Sequence, residues 1–435
     1  MEDKFILSNK NYYLYNRFSV TILRRRFFRA YIFEVSAQVK RIIKAYDFPI
    51  FIAVVLLCLF GLVMIYSSSM ITAVARYGQS MDFFFEKQKT AFLISFVAMI
   101  VTMILPYKMY KNKMFLMSMM FGMAGILFLL FVFGHTAGNA TSWFKLGTAS
   151  IQPAEFSKLA MIIYLAAIYG KRQDRINSID KAVIPPIFFL VFICFLIGIQ
   201  PDYGTAAVIF LISSTMIISS GMSFKSIFKL SLITAIFVAI FALGVLVTGN
   251  FSSVLSENKI SRFTGFADPF GKAGESGYQL VNSLFAIGSG GLTGVGLGDS
   301  VQKYGYLPES HTDFIMAVIA EELGIFGVGF VLLTLGFIVL RGFVLSAKCK
   351  DPFGSLLLIG ISSMIGIQVG INVGGVTGLI PITGITLPFI SYGGSSLLLL
   401  MLSMGIYQNV VMRMNLLEQK EKVVSIPKDE IASSK

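Results

Sequence analysis

Ionisable residues gather where a polar segment gives way to an apolar run, in the stretch YLPESHTDFIMAVIAEELG (306–324). They are His311, Asp313, Glu321 and Glu322. A carboxylate at a boundary between water and hydrocarbon loses hydration, which raises its pKa and suits it to accept a proton. Asp313 is therefore a candidate general base, with capping of the following helix as an equal alternative. Glu321 and Glu322 follow about two helical turns later, where they could tune Asp313 or bind an ion.

Two further motifs place charges beside apolar runs. In QPAEFSK, Glu155 and Lys158 are spaced to share one helix face, where an ion pair lowers the cost of burying both. The pair could fix a short span in place or contact a substrate directly. In QPDYGT, Asp202 lies in a short turn, and we expect it to cap the next helix.

Composition points to an all-α polytopic membrane protein. Of 435 residues, 55% are hydrophobic and 14% charged, whereas soluble domains carry about 25% charged residues. Apolar runs near 20 residues recur, each long enough to cross a hydrocarbon core of about 30 Å. The net charge of +13 is spread over loops in the manner of a topology signal, so nucleic acid is not an expected partner. The three cysteines do not suggest a disulfide framework.

The apolar runs predict about ten transmembrane helices, with a large extracellular loop (249–313) between spans seven and eight. The fourth span is short for a full crossing. The predicted spans are Phe48–Tyr66, Thr90–Leu105, Met114–Phe133, Phe156–Tyr169, Val183–Ile199, Tyr203–Ser219, Leu230–Val247, Phe314–Leu340, Leu356–Gly378 and Leu387–Met412.

Basic residues concentrate in alternate segments of this topology, which places both termini in the cytoplasm. The prediction is a cytoplasmic basic arm (1–46), a membrane domain (47–413) and a disordered cytoplasmic tail (414–435). The arm mixes basic and aromatic residues, so it could lie as a helix on the anionic inner leaflet or act only as a topology signal.

Glycine shapes two further motifs. AIGSGGLTGVGLGDS (286–300) holds six glycines but lacks the Lys-Ser/Thr ending of a phosphate-binding loop, so a compact loop over a cleft is the better interpretation. LPFISYGGSS (387–396), which contains Ser395, favours close helix packing or a broken helix beside a cavity.

Together these motifs, in this order from about Asp47 to Arg413, resemble the SEDS family of shape, elongation, division and sporulation proteins. GLGDSVQKYGYLPESHTDF is more similar to the division branch than to the elongation branch, and the sporulation branch stays open. One departure is that Ser142 precedes Trp143, where many members carry arginine.

The resemblance implies a ten-span inverting glycosyltransferase that polymerises lipid II into peptidoglycan strands at the outer face of the cytoplasmic membrane. It implies that Asp313 is catalytic and that Glu155 and Lys158 shape the same cavity. It also implies a class B penicillin-binding protein transpeptidase and other divisome membrane proteins as partners, with enrichment at the division septum. A lipid II flippase and a non-catalytic divisome scaffold are the alternatives.

The departing pyrophosphate needs compensation by cationic side chains or by a divalent cation. Basic residues near the matched loop motifs are the candidates: Arg262, Lys272 and Lys303. Further candidates for substrate binding or for lining the cavity are Tyr278, Gln279, His311 and Ser395.

Overall fold

A computed structural model describes residues 38–133, 135–137, 140–146, 149–173, 184–200, 202–232 and 257–424. The chain divides into a principal unit, residues 48–410, and a smaller unit that includes the described residues 38–47 and 411–424. All candidate site residues belong to the principal unit.

Helices dominate the described residues. They are α1 (Phe48–Tyr77), α2 (Phe83–Ile104), α3 (Lys113–Phe133), α4 (Pro153–Lys171), α5 (Ile184–Ile199), α6 (Tyr203–Ile218), α7 (Glu257–Ala267), α8 (Tyr278–Gly290), α9 (Ile315–Lys348), α10 (Pro352–Val376) and α11 (Gly394–Val424), with short 3-10 helices at Tyr107–Lys111 and Gln302–Tyr304 and a further helical stretch at residues 224–232. Six of them, α1, α2, α3, α9, α10 and α11, are long and apolar enough to cross a membrane. The protein is therefore a multi-pass helical membrane protein.

Nine of the ten predicted spans coincide with helices. The seventh, Leu230–Val247, lies largely outside the described residues. Helices α5 and α6 have 16 residues each, which spans about 24 Å, so they are shorter than a full crossing. The count of ten spans and the outer position of residues 249–313 stay predictions.

Three short strands correct the all-α prediction. β1 (His135–Ala137), β2 (Ala140–Leu146) and β3 (Ala149–Ile151) form an antiparallel sheet in chain order, with Phe144 opposite Ile151. Two of the strands have three residues each, too few to give a recognisable alternating pattern. The sheet leads directly into α4, whose first residue is Pro153, a favoured residue at a helix start.

Helix α10 packs against α4, α6 and α9 in the core of the principal unit. Close approach depends on glycine: a Cβ on Gly360 would meet the Ile162 side chain at 2.6 Å and the Met216 sulfur at 2.9 Å. Along α2, by contrast, Leu93, Ile94 and Val97 are about 60% exposed. Apolar side chains on an outer surface suit a hydrocarbon environment.

In the smaller unit, the predicted disordered tail (414–435) is helical over residues 414–424, while residues 425–435 lie outside the described residues. The helical residues 414–424 continue α11. They are rich in Leu, Gln, Glu and Lys, which are good helix formers, and Lys422 Nζ lies 2.9 Å from Glu418 Oε1 one turn away. Within this unit, Asn415 Nδ2 donates to the Ala45 carbonyl.

Candidate active site

Asp313 lies just before α9 and does not cap it. Phe314 occupies the N-cap position, without a side-chain capping bond. The partly buried Asp313 carboxylate instead accepts a hydrogen bond at Oδ1 from Thr312 Oγ1, at 3.0 Å. The capping alternative is therefore wrong for this residue, and its carboxylate is available for chemistry.

A small cavity opens beside Asp313. Its empty volume, which includes space open to solvent, is about 190 Å³. Gly384 leaves space here, because its Cβ would lie 4.0 Å from Asp313 Oδ2 and its φ of +77° favours glycine. The lining residues are Asp313, Phe314, Ile371, Asn372, Gly375, Val376, Ile382, Thr383, Gly384 and Ile385.

The LPFISYGGSS motif folds over the stretch that carries Asp313. Ser391 Oγ donates to the Thr312 carbonyl at 2.5 Å, and the Tyr392 amide donates to the His311 carbonyl at 2.9 Å. The chain between α10 and α11 has no helix, and its residues 382–385 line the cavity. Of the two alternatives for the LPFISYGGSS motif, the non-helical backbone of residues 387–393 agrees with a broken helix, although the cavity is lined by the preceding residues 382–385, and the last helix starts at Gly394 rather than at Leu387.

The charges and burial around Asp313 favour its carboxylate as a proton acceptor. Burial and, to a lesser extent, the nearby negative charge of Glu309 raise the pKa of its carboxyl from 3.8 to about 6. The hydrogen bond from Thr312 and the positive charge of Arg262 oppose this shift of the pKa. A base with a pKa near neutrality is ionised at physiological pH and still holds a proton well enough to remove it from a hydroxyl.

Glu309 is the second carboxylate of this site. Thr312 Oγ1 lies 3.0 Å from both Glu309 Oε2 and Asp313 Oδ1, so one hydroxyl is placed between the two carboxylates. Arg76 Nη1 lies 3.7 Å from the other carboxylate oxygen of this residue, Glu309 Oε1. Glu309 also has a φ of +47°, a conformation that non-glycine residues rarely adopt. Sequence analysis did not single out Glu309 as a candidate.

His311 is buried between aromatic rings. Its ring centroid lies 4.3 Å from that of Phe84 and 5.6 Å from that of Tyr392. Burial lowers the pKa of its imidazole to about 4, and Arg76 adds to this effect. Neutral at physiological pH, it acts here as a packing residue beside Asp313.

The QPAEFSK and QPDYGT motifs meet next to the cavity. Lys158 Nζ lies 2.7 Å from Glu155 Oε1, and both residues are buried, so the predicted ion pair is present. Gln152 Nε2 donates to Asp202 Oδ2, while Asp202 Oδ1 accepts from the Thr205 amide as a helix cap. The predicted cap at Asp202 is therefore confirmed.

Two contacts join this cluster to the cavity wall and to α11. A Cβ on Gly204 would lie 3.0 Å from the Thr383 carbonyl oxygen, so the start of α6 abuts the wall. Ser395 Oγ accepts from the Gln152 amide and donates to the Ser150 carbonyl. Ser395 thus fixes the start of α11 against the segment before α4, which is a structural role.

Glu321 and Glu322 make hydrogen bonds that stabilise the fold. The conformation of Gly324 breaks α9, and the glycine-rich loop packs against the break, where the Val295 and Gly296 amides donate to the Glu321 and Glu322 carbonyls. Glu321 also accepts from Ser300 Oγ and from the Val301 amide. These carboxylates neither touch Asp313 nor stand open to an ion.

Lys303 corrects one of the predictions for the pyrophosphate. Its side chain is fully buried, with Nζ 3.0 Å from Glu322 Oε1 and donating to the Gly298 carbonyl and to Ser67 Oγ. An ammonium group engaged in this way has no donor left for a phosphate. We therefore remove Lys303 from the candidates.

The other predicted contacts remain predictions. Arg262 is exposed and acts on Asp313 through its charge. Lys272 is exposed and lies 4.0 Å from Glu275. Tyr278 and Gln279 begin α8, which packs on the end of α10 through the bond from Ser283 Oγ to the Val376 carbonyl.

Metal binding has no ready-made protein site in the part of the chain that the structure describes. No group of three or more His, Cys, Asp or Glu side chains there is placed to hold an ion. The donor set at Asp313 does not provide the oxygen shell that a divalent cation needs. We therefore derive no step through a metal.

Asn372 was missed by sequence analysis. Its Nδ2 donates to the Asp313 carbonyl at 2.7 Å and to the Ile385 carbonyl at 2.8 Å, which ties the backbone of Asp313 to α10 and to the cavity wall. Nothing in the sequence indicates this contact, because 59 positions separate the two residues.

Comparison with known proteins agrees with this architecture. The profile of the FtsW, RodA and SpoVE family of cell cycle proteins matches residues 48–416. The chain is 54% identical to the probable peptidoglycan glycosyltransferase FtsW of Bacillus subtilis (strain 168), over 88% of this chain and 95% of that protein. It is 40% identical to stage V sporulation protein E of the same organism, over 84% of this chain and 96% of that protein.

Solved structures share the fold. A chain from work on structural coordination of polymerization and crosslinking by a peptidoglycan synthase complex gives a TM-score of 0.64 at 24% identity, covering 85% of this chain and 98% of that one. The rod shape determining protein RodA of Thermus thermophilus gives 0.58 at 24% identity, covering 85% and 97%. The match of the family profile across the principal unit, together with these relatives, shows that the chain belongs to the FtsW/RodA/SpoVE family of cell cycle proteins, the SEDS family that its motifs resemble.

Proposed function

We propose that this protein polymerises lipid II into peptidoglycan glycan strands, with Asp313 as the general base and with inversion at the anomeric carbon. As a member of this family the protein is a peptidoglycan glycosyltransferase. The observation that carries the assignment of the base is the Asp313 carboxylate at the rim of a cavity, free of any helix cap and with a pKa raised to about 6.

The reaction requires one proton transfer and one displacement. Asp313 accepts the proton of the acceptor sugar's 4-hydroxyl while that oxygen attacks the anomeric carbon of the donor. The carbon–oxygen bond to the pyrophosphate breaks, and the lipid pyrophosphate leaves with the electron pair. Because attack comes from the face opposite the leaving group, the configuration inverts. The displacement of the pyrophosphate forms no covalent intermediate with the enzyme. One carboxylate that acts as the base is therefore sufficient, and no second carboxylate is needed as a nucleophile.

The setting suits a substrate with a lipid tail and a polar head. The residues just after Asp313 enter α9, a helix apolar enough to cross the membrane, while the residues before it form a polar segment. A base at this boundary meets a sugar whose prenyl chain stays in the bilayer. Arg262, exposed and electrostatically coupled to Asp313, is the cation that we place near the pyrophosphate.

The cellular role follows from the relatives. The similarity to a probable FtsW and to a sporulation protein supports septal wall synthesis. The likeness to a chain of a peptidoglycan synthase complex supports a class B penicillin-binding protein transpeptidase as partner, with other divisome membrane proteins around it. The proposal includes both termini in the cytoplasm, which the distribution of basic residues supports, and the chemistry at the outer face.

Labelled lipid II tests the activity directly. Purified protein with its partner transpeptidase is given labelled lipid II in detergent, and the polymer is resolved on a gel. We expect polymer from the wild type and none from Asp313→Asn. Asp268→Asn is the matched control, because it removes an exposed carboxylate whose hydrogen bond is to the nearby Gly271 amide, and we expect it to polymerise normally.

The same preparation separates the alternatives. A flippase would move lipid II between the leaflets of sealed vesicles without making polymer, and a scaffold would do neither. Polymer formation by Asp313→Asn at the wild-type rate would reject Asp313 as the base.

A further inference from the structure

The side chain of Asn372 is held in one orientation beside Asp313. Its amide nitrogen carries two hydrogens, and both have a backbone carbonyl as partner, at Asp313 and at Ile385. Rotation by half a turn would direct the side-chain oxygen at two carbonyl oxygens, which cannot donate. The assignment of nitrogen and oxygen is therefore fixed by the hydrogen bonds.

The side-chain oxygen of Asn372 is buried and has no partner. Asn372 is 3% exposed, yet its Oδ1 makes no hydrogen bond to the described residues. Buried polar atoms are paired in the great majority of cases. An acceptor left open in this way indicates a site for a donor that the protein itself does not supply.

The open oxygen belongs to a residue that lines the same cavity as Asp313. Asp313 and Asn372 thus line the same cavity, and the Asn372 side-chain oxygen has no protein donor, while the rest of the lining is largely apolar and contains Gly375 and Gly384. Acceptors on an apolar wall suit a ligand that brings hydroxyl groups, and a sugar with neighbouring hydroxyls has this chemistry.

We propose that Asn372 is a residue that recognises the acceptor: its side-chain oxygen accepts a hydrogen bond from a hydroxyl next to the reacting 4-hydroxyl, while its nitrogen holds the Asp313 backbone in place. This inference rests on the proposed function. It adds that the acceptor sugar, rather than the donor, occupies the cavity between α10 and the 382–385 segment.

The consequence for catalysis is alignment. A sugar held by one hydroxyl at Asn372 presents its neighbouring hydroxyl to Asp313, so proton transfer begins from a fixed geometry. One side chain positions both the base and the group from which the base takes a proton. A purely structural Asn372 would hold Asp313 but would be indifferent to the hydroxyls of the acceptor.

Coupling of synthetic substrates tests this difference. The donor is labelled lipid II whose 4-hydroxyl is blocked, so it cannot serve as acceptor. The acceptors are intact lipid II and two analogues whose terminal sugar lacks either the 3-hydroxyl or the 6-hydroxyl. The rate of forming one new bond is measured for each acceptor with the wild type, Asn372→Leu, Asn372→Ser and Ser363→Ala.

We expect the wild type to couple one of the deoxy acceptors roughly threefold to tenfold more slowly than intact lipid II, the effect of one neutral hydrogen bond. Asn372→Leu and Asn372→Ser should couple intact lipid II more slowly and show no further loss with that analogue. Ser363→Ala removes a hydroxyl that donates to the Ile359 carbonyl of its own helix, and it should keep the wild-type pattern.

Two results overturn the proposal. In the first, the wild type couples all three acceptors at equal rates. This result does not depend on whether the Asn372 variants fold. In the second, a folded Asn372→Leu or Asn372→Ser protein discriminates between acceptors as the wild type does. Failure of the proposed function is a separate result, because it would appear as coupling by Asp313→Asn or as no coupling by the wild type.

Discussion

Asp313 and the Glu321–Glu322 pair stand on the same stretch of chain, yet their surroundings differ. Glu322 accepts from Ser67 Oγ at 2.7 Å and from Lys303 Nζ at 3.0 Å, and Glu321 accepts from loop groups. Asp313 has one hydrogen bond from its neighbour and an open cavity. Carboxylates whose partners are complete stabilise a fold, whereas one left with free acceptor capacity can exchange a proton.

Breaking the buried ion pair between Lys303 and Glu322 should have the largest effect of the substitutions compared here. Lys303→Met leaves Glu322 charged and buried without its cation, and we expect a loss of about 3–5 kcal/mol in the free energy of unfolding. Chemical unfolding in detergent measures this loss. The double variant Lys303→Met/Glu322→Gln should recover much of it, and an unchanged midpoint in the single variant would show that the pair does not hold the loop.

A methyl group in the cavity should impair chemistry rather than folding. Gly384→Ala places a Cβ about 4.0 Å from Asp313 Oδ2, at a φ of +77° that alanine rarely adopts. We expect polymerisation to fall on the order of 100-fold, because the strain of alanine at this φ shifts the segment 382–385 that lines the cavity beside Asp313. Gly329→Ala on α9 is the control, because nothing lies within 4 Å of its Cβ. Equal rates for both variants would contradict the location of the site.

Replacing Asp313, the proposed base, should stabilise the protein. Because the pKa of Asp313 is raised from 3.8 to about 6 on folding, ionisation opposes folding, and stability is lost as pH rises through this window. Asp313→Asn should therefore unfold at a higher temperature than the wild type at pH 7.5, with the difference vanishing below pH 3.8. A lower unfolding temperature at pH 7.5 would mean that the carboxylate contributes to the fold, as Glu322 does.

Replacing Glu309 should have the smallest effect on the reaction of the substitutions compared here. Its negative charge raises the pKa of Asp313, so Glu309→Gln should shift the acidic limb of the rate profile to lower pH while the rate at pH 8 changes little. The exposed Glu275→Gln variant serves as the control, and we expect its profile to match that of the wild type. A shift to higher pH would contradict this electrostatic coupling.

The sequence predicted much of the fold because apolar runs determine helices directly. It also located Asp313, since the change from polar to apolar residues is visible along the chain. It could not predict that Lys303 is buried against Glu322, because a lysine in a loop motif has the same pattern whether it is free or paired. The contact of Asn372 with Asp313 depends on tertiary structure alone.

The glycine-rich loop (286–300) is another region whose tertiary contacts could not be predicted from the sequence. Its six glycines predict a compact loop, but its position depends on the break at Gly324, next to the Glu321 and Glu322 carbonyls that accept from the loop amides. Periodicity over α9 gives no sign of the break, since the apolar pattern continues through it. The sheet before α4 escaped detection because two of its three strands have only three residues each.

The pH dependence of polymerisation tests the role of Asp313 most directly. The rate of coupling of lipid II under single-turnover conditions, measured from pH 4.5 to 8.5 with the stability of the protein checked at each pH, should rise with pH as one group ionises, with a midpoint near the Asp313 pKa of about 6. A rate that stays constant through this range would contradict the assignment of Asp313 as the general base.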